Sequence, residues 1–317
     1  FPLLAGKNSE MWSLMLQRLG DSCNEIGKLL LDELRIIISK DPKLSAVMPM
    51  LLSAEWWFKE GLRYFQRCGD EINHAFLRCN LSQCCKLRSS ASSYRMSFSE
   101  RQENADKNLD SHVERCLDDA ARHLELAHET LDQRDPNDPK AWDMVSTELA
   151  ATYLVLGVKR RQTLIGSLSS PVVFDALRLN PGSERSIVTP ITRAKEIYKS
   201  LHIHDQVAAT DYQLALLYAK IWTCQRDEIQ TRQKLSKAFY HLGLSHGYYF
   251  SHPVSNEDTL ICLILDLSGL YSTTSVSYEC QEKALLCCLD TCVAFSAAAI
   301  KETRSRGPSS KDWFQKM

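Results

Sequence analysis

The residues best placed to do chemistry are histidines, cysteines and acids at short spacing, and the most pointed string is His128-Glu129-x2-Asp132. In the H-E-x-x-H metalloprotease pattern two histidines one helical turn apart hold zinc and the glutamate acts as base. Aspartate in place of the second histidine breaks that pattern, and the charged outer face of a helix produces such strings without selection for catalysis. Cys68, His74, Cys79, Cys84 and Cys85 carry zinc-ligand chemistry. No C-x2-C pair exists, however, and helical phase turns Cys84 and Cys85 about 100° apart. His202-x-His204 can chelate in a strand or loop, but solvated turn histidines are far commoner. Lys159-Arg160-Arg161 falls short of a nuclear-import run and suits the negative end of a helix. Gly-rich phosphate loops and G-x-S-x-G elbows are missing. The reading is therefore non-enzymatic, with no cofactor and no metal, and an all-α enzyme built on His202, His204 and nearby acids is the catalytic alternative.

The elements that would position these groups are helices. Of 317 residues 44% are apolar, enough for a large core, and 38 basic residues against 39 acidic ones give a net charge of -1, so no global field draws a polyanion. Glycine (12) and proline (10) are sparse and fall between long apolar-periodic runs. Those runs predict helices over 9–19, 21–39, 44–67, 70–87, 110–133, 139–165, 187–201, 205–225, 227–244, 256–271 and 275–303. No apolar window is long enough for a membrane span, and the chain reads as soluble. Twelve cysteines, two pairs of them adjacent, read as small core residues in a reducing compartment, cytosol or nucleus. A start at Phe1-Pro2 predicts a piece of a longer chain.

A large-small-x2-aromatic pattern recurs as Leu149-Ala150-x2-Tyr153, Leu214-Ala215-x2-Tyr218 and Leu267-Ser268-x2-Tyr271. On one helix face the small residue admits a neighbouring helix and the aromatic fills the gap beside it. Trp57-x3-Gly61-x2-Tyr64 is a fourth copy, with Gly69-Asp70 near its turn, and Leu19-Gly20-x2-Cys23 is a weaker fifth that lacks the aromatic. The chain thus resembles tetratricopeptide (TPR) repeats. The three best copies begin at 149, 214 and 267, intervals of 65 and 53 rather than 34, which implies insertions. The expected fold is all-α, an irregular α-solenoid of TPR-like helical hairpins. Its predicted organisation is N-terminal hairpins over 1–87, a flexible Ser-rich and charged linker over 88–110, repeats over 111–303 with a loop insertion at 166–186, and a tail over 304–317.

Trp142 to Gly157, Ala194 to Lys220 and Lys237 to Phe250 together resemble the C-terminal region of the erythroid differentiation-related factor 1 family. That resemblance implies a nuclear protein supporting transcription of globin genes in erythroid differentiation. The segment carries no DNA-binding module, so it would recruit proteins rather than read bases, and no membrane contact is expected. The alternative is an adaptor or assembly subunit of a non-transcriptional complex. In TPR arrays the first helices line a groove, and the corresponding offsets here give Phe58, Leu62, Phe65 and Gln66, then Thr147, Ala151, Leu154 and Val155, then Tyr212, Leu216, Ala219 and Lys220. An apolar stripe of that kind needs cover, either from the chain itself or from an amphipathic helix of a partner protein.

Overall fold

The computed structural model describes residues 2–40, 44–98, 103–131, 139–168, 181–224 and 228–252, with Thr259, Cys262, Leu263, Leu265, Asp266 and Leu270. Among these residues there is no strand. The helices are α1 (Pro2–Lys40), α2 (Leu44–Cys68), α3 (Glu71–Phe98), α4 (Glu103–Thr130), α5 (Lys140–Leu168), α6 (Pro181–Ser200), α7 (His204–Cys224) and α8 (Glu228–Ser251). The all-α expectation holds. The chain divides into two compact units, Phe1–Gly166 with Arg185–Ile197, and Ser167–Glu184 with Tyr198–Met317.

In the first unit α1 pairs with α2, α3 with α4, and α2 with α3. Glycines and phenylalanines at matched spacing set the first pair. Gly20 and Gly27 lie seven residues apart on α1, as do Phe58 and Phe65 on α2, and both rings are completely buried. A Cβ on Gly20 would come within 2.7 Å of the Phe65 ring, and one on Gly27 would strike Phe58. The two helices therefore run antiparallel, with each ring seated over a residue that has no side chain. One heptad further on, Leu34 and Leu51 are fully buried in the same cluster. The predicted break at Gly20 is absent, because the glycine's intrinsic cost of roughly 1 kcal/mol in a helix is outweighed by the packing it permits.

Where the described residues cover it, the stretch 88–110 expected to be a flexible linker is helical, and 99–102 lie outside the described residues. Helix α3 continues through it to Phe98, and α4 begins at Glu103. Ser-rich composition suggests solvent, but here small size is what is used: Ser89, Ala91 and Ser92 are buried, and the Ser92 hydroxyl donates to the Arg88 carbonyl one turn back at 2.9 Å. Internal satisfaction of the hydroxyl removes most of the penalty of burying it. The expected 166–186 insertion is shorter at both ends, since α5 runs to Leu168 and α6 starts at Pro181. The apolar string Val172 to Phe174, the expected helix 275–303 and the tail 304–317 lie outside the described residues.

Two corners close on left-handed residues. At Gly69 (φ 73°) the Asp70 amide donates to the Phe65 carbonyl at 3.1 Å, and the Asp70 carboxylate then accepts the Asn73 amide at 3.0 Å, capping α3. At His202 (φ 58°) the Ile203 amide bonds the Tyr198 carbonyl at 2.9 Å and the His202 amide the Lys199 carbonyl at 3.1 Å, a Schellman closure with histidine in the glycine position. Nothing lies within 4 Å of a Cβ built on Gly69, so the expected loss in Gly69→Ala is purely conformational, about 1 kcal/mol. His202→Gly should gain a similar amount, about 0.5–1 kcal/mol. Urea titrations of both variants check the opposite signs.

Candidate functional site

The repeat tyrosines sit where helices meet. On α5, Leu149, Ala150 and Tyr153 are all buried. The Tyr153 hydroxyl donates to Glu125 of α4 and accepts from Arg193 of α6 at 3.2 Å. The Arg193 guanidinium lies 5.8 Å from the ring centroid and 3.5 Å from Glu125. Burial, reinforced by the acceptor Glu125, pushes the phenol up to about 12, so it remains a donor at any physiological pH. One residue thus ties three helices together. Four residues on, a Cβ added to Gly157 would strike Ile191 of α6, so α5 and α6 approach through a missing side chain.

In the second unit α7 pairs with α8, and Leu214, Ala215 and Tyr218 are buried on α7. The Tyr218 ring stacks on His241 of α8 at 5.7 Å and is flanked by Lys234 at 5.6 Å and Lys237 at 5.2 Å. Burial raises this phenol as well, with Glu184 adding to the shift. His241 Nδ1 lies 2.7 Å from the carboxylate of Asp211, itself buried two turns before Tyr218. Small-then-aromatic spacing therefore does the same mechanical work on α5 and α7. The third copy, Leu267, Ser268 and Tyr271, lies outside the described residues.

The fourth copy sits differently. Gly61 is buried, and its Cβ position is 2.8 Å from Leu77 of α3 and 3.3 Å from Cys23 of α1, which makes it a close-packing residue. Trp57 and Tyr64, however, are only half-buried, and the fully buried rings of α2 are Phe58 and Phe65, one residue later in each case. Since α2 is the second helix of its pair, the weak copy Leu19-Gly20-x2-Cys23 on α1 is the one in first-helix position. Sequence reasoning missed the Gly20–Phe65 and Gly27–Phe58 seats. The matched seven-residue spacing of the two glycines and the two phenylalanines is the signal that could have found them.

The groove positions divide accordingly. Phe58 and Phe65 are corrected from groove to core: α1 already covers them, and no partner can reach them. Leu62 is half-buried against the same cluster, and Gln66 is exposed. On α5, Thr147, Ala151 and Leu154 are half-buried and Val155 is exposed. On α7, Tyr212, Leu216, Ala219 and Lys220 are half-buried, and the Tyr212 hydroxyl donates to Asp266 at 2.5 Å.

The chemical candidates are absorbed by the fold. Burial holds the thiols of Cys79, Cys84 and Cys85 up at about 12, so each is neutral at pH 7 and neither a metal ligand nor a nucleophile in that form. Among the described residues no group of three His, Cys, Asp or Glu side chains converges on a metal position. His128 packs on Trp142 at 5.0 Å and burial lowers its pKa, while Asp132 lies outside the described residues. His202 closes the α6 corner and its ring is 6.3 Å from that of His204. Lys159 pairs with Asp110 at 2.7 Å, and Arg160 grips Asp118 through both oxygens at 2.7 and 2.8 Å while donating to the Ser186 carbonyl at 3.0 Å. Lys159 and Arg160 thus clasp neighbouring segments from within α5, which continues about two turns beyond them.

Alkylation at pH 8 should therefore leave Cys79, Cys84 and Cys85 unmodified in the folded protein and label all three after denaturation, as read by peptide mass mapping. The raised thiols also set a sign. Folded-state values near 12 against an ordinary thiol value of 9.0 mean that the stability they contribute is complete below pH 9 and declines as pH rises from there towards 12. Denaturant midpoints measured from pH 8 to 11 should fall.

The sequence profile of erythroid differentiation-related factor 1-like TPR repeats matches residues 15–161. No curated protein and no solved structure matches the chain. The matched span takes in α1 from Met15 onward, α2 to α4 and most of α5, including Tyr153, and stops before the α7 copy. Stacked helical repeats of this kind present extended binding surfaces and serve as protein-interaction scaffolds. Over residues 15–161 the chain is thus similar to erythroid differentiation-related factor 1-like TPR repeats, a likeness that supports a TPR-type protein-interaction scaffold.

Proposed function

We propose that this chain is a non-enzymatic scaffold in the nucleus that supports transcription of globin genes during erythroid differentiation by holding partner proteins. The observation that carries the reading is the match of residues 15–161 to the erythroid differentiation-related factor 1-like repeats. Two features of the residues favour recruitment over base reading. The net charge is -1, and the densest basic triplet spends Lys159 and Arg160 on Asp110 and Asp118. Among the described residues no helix is long and apolar enough to cross a membrane.

The α7 face at Tyr212, Leu216 and Lys220 is the proposed seat for an amphipathic helix of the partner. These residues recur every four positions and are half-buried rather than sealed. The test is rescue of globin transcript levels in erythroid cells depleted of the protein. A full-length Leu216→Glu/Lys220→Glu variant, shown by circular dichroism to keep its helix content, should restore less transcript than the wild type. Equal rescue discards the α7 seat, and unchanged globin transcripts on depletion discard the transcriptional role.

A further inference from the structure

We propose that the outer face of α1 is a self-association surface, occupied by α1 of a second copy of this chain running antiparallel to it. Met11, Met15, Leu19, Ile26, Leu29 and Ile36 follow one another at intervals of four or three residues, or their sum, and so share a face. All are large and apolar, and all are 36–69% exposed. The opposite requirement is already met, because Leu16, Gly20, Cys23, Gly27, Leu31 and Leu34 form a separate buried face turned towards α2. Helix α3 shows what an enclosed helix of the same unit looks like: from Asn73 to Ser89 none of its residues is exposed. On α1 one apolar face is covered and the second is not.

Area and charge name the occupant. With Trp12 and Leu14, also exposed, the stripe offers roughly 800 Å² of side-chain surface, the per-partner area of an ordinary stable interface. Along α1, Glu25 pairs with Lys28 at 2.9 Å and Asp32 with Arg35 at 2.7 Å, both within the helix. Arg18 and Glu33 lie on this same face, are exposed, and make no ion pair among the described residues. They stand about 22 Å apart along the axis, too far to meet within one chain. A two-fold axis beside Ile26 brings Arg18 of each copy opposite Glu33 of the other, so both charges are satisfied twice. The same register sets Met15 against Ile36 and Leu29 over the small Ser22. A parallel pair would instead oppose Arg18 to Arg18 and Glu33 to Glu33, which disfavours it.

Sedimentation velocity on the full chain, from submicromolar concentration to about 100 μM, reads the result. A concentration-dependent dimer is expected, weakened at least about tenfold by Leu29→Glu and by Arg18→Glu alone. Because exchanging the two charges preserves their opposition, Arg18→Glu/Glu33→Arg should recover most of the affinity. All the substituted side chains are exposed, and circular dichroism confirms that each variant keeps its helices. A wild type that stays monomeric throughout, as a face reserved for a different protein would leave it, overturns the proposal. So does a dimer indifferent to Leu29→Glu, or one that the double exchange fails to restore.

Discussion

Phe58→Ala should lower the unfolding free energy by about 3–5 kcal/mol, the range for removing a fully buried aromatic ring. The loss should lie at the upper end because of what faces the ring. Gly27 has no side chain with which to move into the vacated volume, and the ring is completely buried in the cluster shared by α1, α2 and α3. The reciprocal change is expected to hurt for the opposite reason. Gly27→Val places carbon where the ring already sits and should cost about 1–3 kcal/mol through overpacking. Combining the two, so that a small residue on α2 faces a larger one on α1, should cost less than the sum of the singles. Urea midpoints of the four proteins form a double-mutant cycle, and strict additivity would show that the two positions do not share one seat.

Arg88→Met should cost about 3–5 kcal/mol, although it lies in a stretch whose composition suggests a linker. Arg88 pairs with Glu55, a carboxylate only 8% exposed, and Lys59 reaches the same group less closely at 3.7 Å. Removing the guanidinium leaves a buried anion short of its principal partner, and that desolvation cannot be recovered by relaxation alone. Glu55→Gln in the same chain should return part of the loss by removing the charge. If residues 88–98 were an unstructured tether, Arg88→Met would lie within about 0.5 kcal/mol of the wild type, as surface substitutions do. Equilibrium denaturation separates these outcomes directly.

Helix content was legible in the sequence because periodicity and the scarcity of glycine and proline report local preferences directly. So were Tyr153 and Tyr218, since large-small-x2-aromatic spacing encodes a contact between helices and not merely a helix. Two kinds of information were not legible. Ser89 and Ser92 read as solvent-loving because composition does not say that a serine such as Ser92 can satisfy its hydroxyl one turn back and then be buried for its small volume. Phe58 and Phe65 were assigned to a groove because an offset counted from one motif fixes the face of a helix but not its neighbour. The neighbour, α1, was identifiable only by matching Gly20 and Gly27 to the two rings. The candidate metal ligands failed for a similar reason, since spacing shows which side chains could converge while burial decides whether thiols ionise.

The enclosure of α3 bears on where this protein can change length. From Asn73 to Ser89 every side chain is at least partly covered. One added residue there would rotate everything downstream by about 100° and turn Leu77, Leu81 and Cys84 out of their places. Drift in chain length, and any reporter spliced in at the bench, should therefore be tolerated at the joints between helices and rejected inside α3.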